Sequence, residues 1–286
     1  MEGYGRMRPG CGQKLKTKSH NINIISDNTL VTDKLEVASH FNTFFTTIAS
    51  TLVTKLPPHS GEYGTEHVNA YYSNLGVCKD GFKLATVTTD EVFKKLSTLP
   101  QHKATGHDKI PPKFLRDSAA SIAPIITHIV NLSIEQGRVP QNFKLARVTP
   151  LHKKGSKLDP GNYHPVSILS SISKIMEKIV FEQVAKYLDE NKLMYEFQSG
   201  FRTSHSTDTC LLYLNDRIKH EVDLGRYCGM VMLDLQKAFD TVNHPILIDK
   251  LKAIGFDGTA ASWMQSYLEG REQVVEVNGT LSPPSQ

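Results

Sequence analysis

The 286 residues carry 33 Lys and Arg against 29 Asp and Glu, for a formal charge of +4, with 39% hydrophobic and 22% charged residues. A chain of this size can bury the core of one large or two modest domains, and its mild basic excess permits nucleic-acid contact without requiring it. No apolar run is long enough to span a membrane, and the polar start lacks the apolar stretch of a secretory signal, so both fates are read as excluded.

The four cysteines, Cys11, Cys78, Cys210 and Cys228, stand too far apart for a zinc site. They read as reduced thiols of an intracellular protein, nuclear or cytoplasmic. Residues up to His20 read as a polar lead. Leu35, Val37, Phe41, Phe44, Phe45 and Ile48 then recur at helical spacing and predict one amphipathic helix before Pro57-Pro58. From His59 to Gly81 the Gly, Asn, Ser and Tyr content predicts a linker.

Thr88-Thr89-Asp90-Glu91 predicts a capping box, with the Thr88 hydroxyl and the Glu91 carboxylate satisfying amides at a helix start. Val92, Phe93 and Leu96 give that helix its expected buried side, and Pro100 follows it. Between Ser121 and Gln136, Ile122, Ile125, Ile129 and Leu132 share a face, and Gly137 with Pro140 supplies the stop. A further helix is predicted over Ser171 to Glu190, with Ile172, Ile175, Met176, Ile179, Gln183 and Tyr187 close to one stripe. The stretches Ala146 to Leu151 and Val166 to Leu169 read as extended, a hairpin flanked by these two helices.

Tyr227 to Leu235 predicts a buried strand, since Met230, Val231, Met232 and Leu233 form an apolar run suited to a central position. Helices are expected at His244 to Ile254 and Thr259 to Leu268. Gln273 to Val277 then predicts a strand that enters a tight turn at Asn278-Gly279.

The sharpest local signal is Leu233-Asp234-Leu235-Gln236-Lys237-Ala238-Phe239-Asp240. A carboxylate at the end of an apolar strand is held rigidly yet open to solvent, which suits a hard divalent cation. Two-metal phosphoryl transfer needs such carboxylates around the reacting phosphate. On local grounds alone, Asp234 is as well explained by helix capping or by pairing with a lysine.

Several ordered blocks extend the signal. They are Lys103-Ala104-Thr105-Gly106-His107-Asp108-Lys109-Ile110-Pro111, then Val148-Thr149-Pro150-Leu151-His152-Lys153-Lys154-Gly155 and Asn162-Tyr163-His164-Pro165-Val166-Ser167-Ile168-Leu169. Gln198-Ser199-Gly200-Phe201-Arg202 and the stretch around Asp234 follow. As an ordered set, within residues from about Thr88 to Pro284, they resemble the reverse transcriptases of non-LTR, LINE-type retrotransposons, closest to the jockey-like branch.

The resemblance implies an α+β fold: right-hand polymerase fingers and a partial palm, with helices on a small, mostly antiparallel sheet. It divides the chain into a connector, residues 1–87, and a partial polymerase domain, residues 88–286. It implies an RNA-directed DNA polymerase that joins dNTPs to a DNA primer on an RNA template with Mg2+, and no membrane partner. Asp234 would be catalytic and a metal ligand, with the Leu235 carbonyl beside it. Phe239 would lie under the incoming sugar and exclude a 2′-hydroxyl; the alternative is an ordinary core phenylalanine. Arg202, Lys153 and Lys154 would meet phosphates, and Asp240 would be structural.

Two departures stand out. His164 replaces an arginine of the family pattern, exchanging a permanently charged fork for an imidazole. The Tyr-Ala-Asp-Asp block and the thumb are missing from the 286 residues, and no Asp-Asp pair occurs in them. The sequence therefore predicts a truncated, inactive polymerase piece, with a non-catalytic RNA-binding remnant of a mobile element as the alternative.

Overall fold

The computed structural model describes residues 21–26, 28–54, 70, 81–235 and 237–286. The polar lead, nearly all of the His59 to Gly81 linker, and Cys11 and Cys78 lie outside the described residues. The rest is a mixture of helices and small sheets.

A short hairpin, β1 (Ile24–Ser26) and β2 (Thr29–Val31), opens the described chain. Asp33 then caps α1 (Lys34–Val53), its carboxylate accepting from the amides of Leu35 and Glu36. Helix α2 (Thr89–Ser97) starts with the predicted capping box, in which both reciprocal bonds of Thr88 and Glu91 are present. Those bonds hold the Glu91 carboxyl below the usual carboxylate range. Helix α3 (Pro112–Asp117) places a proline in its first turn, where the missing N–H costs nothing. Helix α4 (Ala119–Gln136) ends as expected at Gly137, which is left-handed at φ 60°.

Strand β3 (Leu145–His152) pairs antiparallel with β4 (Tyr163–Ile168), from Arg147 opposite Ile168 to His152 opposite Tyr163. Helix α5 (Ser171–Glu190) follows under a Ser170 cap, and α6 (Thr207–Asp223) under a Ser206 cap. Helices α7 (His244–Ala253) and α8 (Gly258–Leu268) lead into β5 (Glu272–Val277). Strand β5 lies parallel to β3, with Leu145 opposite Glu272 and Val148 opposite Val275. Asn278 at φ 52° and Gly279 at φ 78° then turn it into β6 (Thr280–Leu281), the paired left-handed conformation a tight hairpin needs. The sheet order is β4-β3-β5-β6.

Three apolar clusters hold these elements. Helices α2, α4, α5 and α8 share the largest, around Leu96, Val130, Met176 and Trp263. The Trp263 indole donates to the Ser133 hydroxyl, so its polar edge is satisfied inside the core. A second cluster joins α1 to the sheet through Val37, Ala38 and Phe41 against Val148, Tyr163, Val275 and Val277. The third gathers Phe82, Tyr187, Ile254 and Phe256, and the Tyr187 hydroxyl donates to the Ile254 carbonyl at 2.6 Å.

Polar ties reinforce the second cluster. The Asn278 side chain bonds both backbone groups of Ile22, and the Asn42 amide donates to the Pro283 carbonyl at 2.8 Å. The first helix is therefore packed into the same body as the last strands.

Some expectations are corrected. The Tyr227 to Leu235 stretch is neither strand nor buried: Val231 is 85% exposed and Leu233 89%. Neither β4 nor β6 takes it as a neighbour, and an unpaired strand has no ladder to hold it. On α4 the buried face runs through Ala119, Ala123, Ile126, Val130 and Ile134, whereas Ile125 and Leu132 face outward. Both stripes are apolar at helical spacing, and packing against α2 and α8 chose between them. Phe93 and Leu35 are likewise exposed rather than buried.

Two stability predictions follow from this packing. Phe41 is fully buried, with its ring 5.0 Å edge-on from that of Tyr163, so Phe41→Ala should cost ~3–5 kcal/mol in urea unfolding; a loss under about 1 kcal/mol would show that α1 is dispensable to the fold. The Tyr267 hydroxyl donates to Glu177 beneath the Arg271 guanidinium, and burial first, then the Glu177 charge, pushes it from 10.0 up to about 12. A raised folded value stabilises the protein fully below about pH 10 and loses that contribution as pH rises towards 12. Tyr267→Phe should flatten this alkaline loss in pH-dependent melting, and an unchanged alkaline slope would contradict it.

Candidate functional site

The sequence-predicted residues fall on two substructures. The first is the β3–β4 hairpin and its connector. Lys153 and Lys154 are exposed there, with the Lys153 amide donating to the Asn162 carbonyl at 2.9 Å. His164 is exposed on β4 opposite Leu151. The connector is well built: Gly155 is left-handed against the Asn162 side chain, Asp159 caps Gly161, and Tyr163 donates to the Lys157 carbonyl at 2.8 Å. The Ile25 amide also donates to the Leu158 carbonyl. A rigid loop thus presents two ammonium groups to solvent, which suits an anionic ligand.

The second substructure is the stretch from Tyr195 to Val242. Arg202 Nη1 donates to the carbonyls of Tyr195, Glu196 and Gln198 at 3.2, 3.4 and 3.4 Å. It fastens its own loop, in which Phe201 adopts φ 61°, and among the described residues its other guanidinium N–H groups have no partner. Phe239 sits in a turn set by the Asp240 amide donating to the Lys237 carbonyl at 2.9 Å. The rings of Phe201 and Phe239 meet edge-on, 6.1 Å apart at 89°. That contact brings the Gly200-Phe201-Arg202 block and the stretch after Asp234 together, although they are far apart in sequence.

Asp234 and Leu235 are exposed, and Phe239 is 79% exposed. The ordinary reading of Phe239 as a core residue is therefore wrong. The capping alternative for Asp234 also fails, because Asn243 caps the next helix by accepting from the Ile246 amide. Among the described residues, Asp234 has no ion pair or hydrogen bond, and none ties its side chain to Lys153, Lys154 or His164.

The Asp234 carboxylate and the Leu235 carbonyl are hard oxygen donors of the kind Mg2+ takes. Among the described residues, however, no group of three or more His, Cys, Asp or Glu could hold a metal ion. The donors are of the right chemistry but too few, and no chemical step is assigned to a cation.

Arg147 was not anticipated. Its guanidinium donates to Glu276 at 2.8 Å and to the Thr105 carbonyl at 2.7 Å, clamping the Lys103 to Asp108 turn onto β3 and β5. That turn also needs Gly106, where a Cβ would come within 2.6 Å of the Ser170 amide nitrogen. The sequence signal was an arginine alternating with Ala146 and Val148 on a strand otherwise destined for the core.

Residues 151–284 match the family model described as reverse transcriptase (RNA-dependent DNA polymerase). Over 199 residues the chain is 30% identical to the probable RNA-directed DNA polymerase from transposon BS of Drosophila melanogaster, covering 69% of this chain and 22% of that relative. It is 32% identical over 200 residues to the RNA-directed DNA polymerase from mobile element jockey of the same fly, covering 70% and 22%. It is 26% identical over 150 residues to the retrovirus-related Pol polyprotein from type-1 retrotransposable element R2 of Popillia japonica, covering 52% and 20%. The chain thus spans about a fifth of the length of these curated relatives. No helix among the described residues is long and apolar enough to cross a membrane.

The open 226–235 segment generates a direct test. With its side chains exposed and no strand partner among the described residues, it should be cut by chymotrypsin under native conditions before α4 or α5, after Tyr227, Leu233 or Leu235. First cleavage inside α4 or α5, read by mass spectrometry, would contradict that order of stability.

Proposed function

Through residues 151–284 the chain belongs to the reverse transcriptase family, and on that premise we propose that it contributes the nucleotide-handling part of an RNA-directed DNA polymerase of a non-LTR retrotransposon. The observation that carries the reading is the contact between Phe201 and Phe239. It supports one site formed from two blocks separated in sequence, with Asp234 exposed five positions before Phe239.

In this reading Asp234 and the Leu235 carbonyl are ligands for Mg2+, the ion that organises the triphosphate when bound. Phe239 packs against the incoming sugar and excludes a 2′-hydroxyl by volume. Lys153 and Lys154 neutralise phosphate charge from the hairpin, and His164 donates one hydrogen bond where a guanidinium would donate two. Arg202 keeps the Tyr195 to Gln198 loop in place and turns its free N–H groups to the template backbone or the triphosphate. The partners are then an RNA template, a DNA primer and dNTPs. Residues 1–87 serve as a connector whose helix packs onto the polymerase sheet, and residues 88–286 make up the fingers and the start of the palm.

Because one carboxylate cannot complete two-metal chemistry, the 286-residue protein alone should incorporate no dNTP. The positive test is a chimera in which residues 88–286 replace the aligned segment of the jockey polymerase. It should extend a primer on RNA, Asp234→Ala should reduce that rate by at least ~10³-fold, and Phe239→Ala should raise ribonucleotide use. An active chimera indifferent to Asp234→Ala would overturn the assignment.

A further inference from the structure

Three cavities linked by shared lining residues contain none of Asp234, Leu235, Phe239, Arg202, Lys153, Lys154 or His164. The middle one, about 390 Å3, is lined by Lys95, Lys103, Lys174 and Lys178 over a floor that includes Leu99, Pro100 and Ile175. A second, about 460 Å3, shares Lys95, Thr98 and Lys178 with it and adds Lys94 and Lys186. A third, about 480 Å3, shares Pro100 and Lys103 and adds His102 and Arg116. Together they form a groove between α2 and α5 that continues over the turn before α3.

Carboxylates do not balance these cations. Glu91 is committed to its capping box. Glu182 lies 2.5 Å from Lys95 and 4.0 Å from Lys178, so one carboxylate serves two ammonium groups. Lys94 and Lys186 pair with Asp90 and Glu190. Among the described residues Lys103, Lys174 and Arg116 have no acidic partner, and all three are exposed. In a chain whose formal charge is only +4, this groove gathers a local positive excess, and its complement is a polyanion.

The geometry selects among polyanions. Lys174 and Lys178 stand one turn apart on α5, ~6 Å along the axis, and Lys186 lies ~18 Å from Lys174. A row of this kind, running along a groove between two helices, can follow one extended backbone. The apolar floor accepts sugar edges between the cations.

We propose that the α2–α5 groove binds the sugar-phosphate backbone of a single nucleic-acid strand, a site separate from the Asp234 stretch. It rests on the polymerase reading only for the choice of nucleic acid over other polyanions. The test is fluorescence anisotropy of the 286-residue protein with single-stranded RNA of about 20 nucleotides, the matching single-stranded DNA, the duplex, and phosphatidylserine vesicles, each across a salt series. Single strands should bind more tightly than duplex or vesicles, and the RNA and DNA arms decide which strand is preferred.

Lys103→Glu with Lys174→Glu should weaken single-strand binding at least ~10-fold at low salt and lower the slope of log affinity against log salt by ~0.7 per lysine removed. Lys219→Glu, an exposed lysine of α6 that lines none of the three cavities, should leave it unchanged. The milder pair Lys103→Gln with Lys174→Gln should fall between, which separates charge loss from misfolding. Wild-type affinity in either double variant, or tighter binding to vesicles or duplex, would overturn the proposal. The jockey chimera reads the polymerase assignment independently, so the two can fail separately.

Discussion

Strand β3 joins parts of the chain that sequence keeps far apart. It hydrogen-bonds β4 just after it and, in parallel, β5 near the chain's end. A parallel pairing needs a long crossover, here everything from β4 through α8. Val148, fully buried at the centre of that strand, contacts both Phe41's helix and Val275's strand through one cluster. If the β3–β5 pairing were lost, α1 would lose Val275 and Val277 from the surface it covers. Arg147 would likewise lose Glu276, one of the two partners of the guanidinium that binds the Thr105 carbonyl.

The protein divides energetically along this line. The body organised by β3 buries Trp263, Phe41, Leu96 and Met176 almost completely. The stretch from Tyr195 to Val242 does not: α6 has no buried residue, and the apolar run ending at Leu235 faces solvent. Hydrophobic burial is the main favourable term in folding, so that stretch is held by local bonds instead, such as Arg202 to three carbonyls and the ring contact of Phe201 with Phe239.

This division bears on function. The candidate site residues Asp234, Leu235 and Phe239 occupy the lightly packed stretch, while Lys153 and Lys154 stand exposed on the β3–β4 hairpin of the well-packed body. Regions of low local stability are where conformational change is cheapest. The lysine groove lies on the well-packed body, between α2 and α5.

Local chemistry was legible in the sequence. The Thr88 capping box, the Gly137 stop, the α5 boundaries and the Asn278-Gly279 turn all depend on neighbours within a few residues, and all form as read; the β3–β4 hairpin also forms, its second strand running Tyr163–Ile168 rather than Val166–Leu169. The ordered blocks likewise pointed to the reverse transcriptase family, because the chemistry of a motif is written in its letters. The tertiary structure alone decided which of two apolar stripes α4 buries, that Arg147 would bind Thr105 and Glu276, and that an ideal-looking strand before Asp234 would stay unpaired. Burial and strand pairing are properties of partners distant in the chain, and periodicity within a segment cannot say which partner will be there.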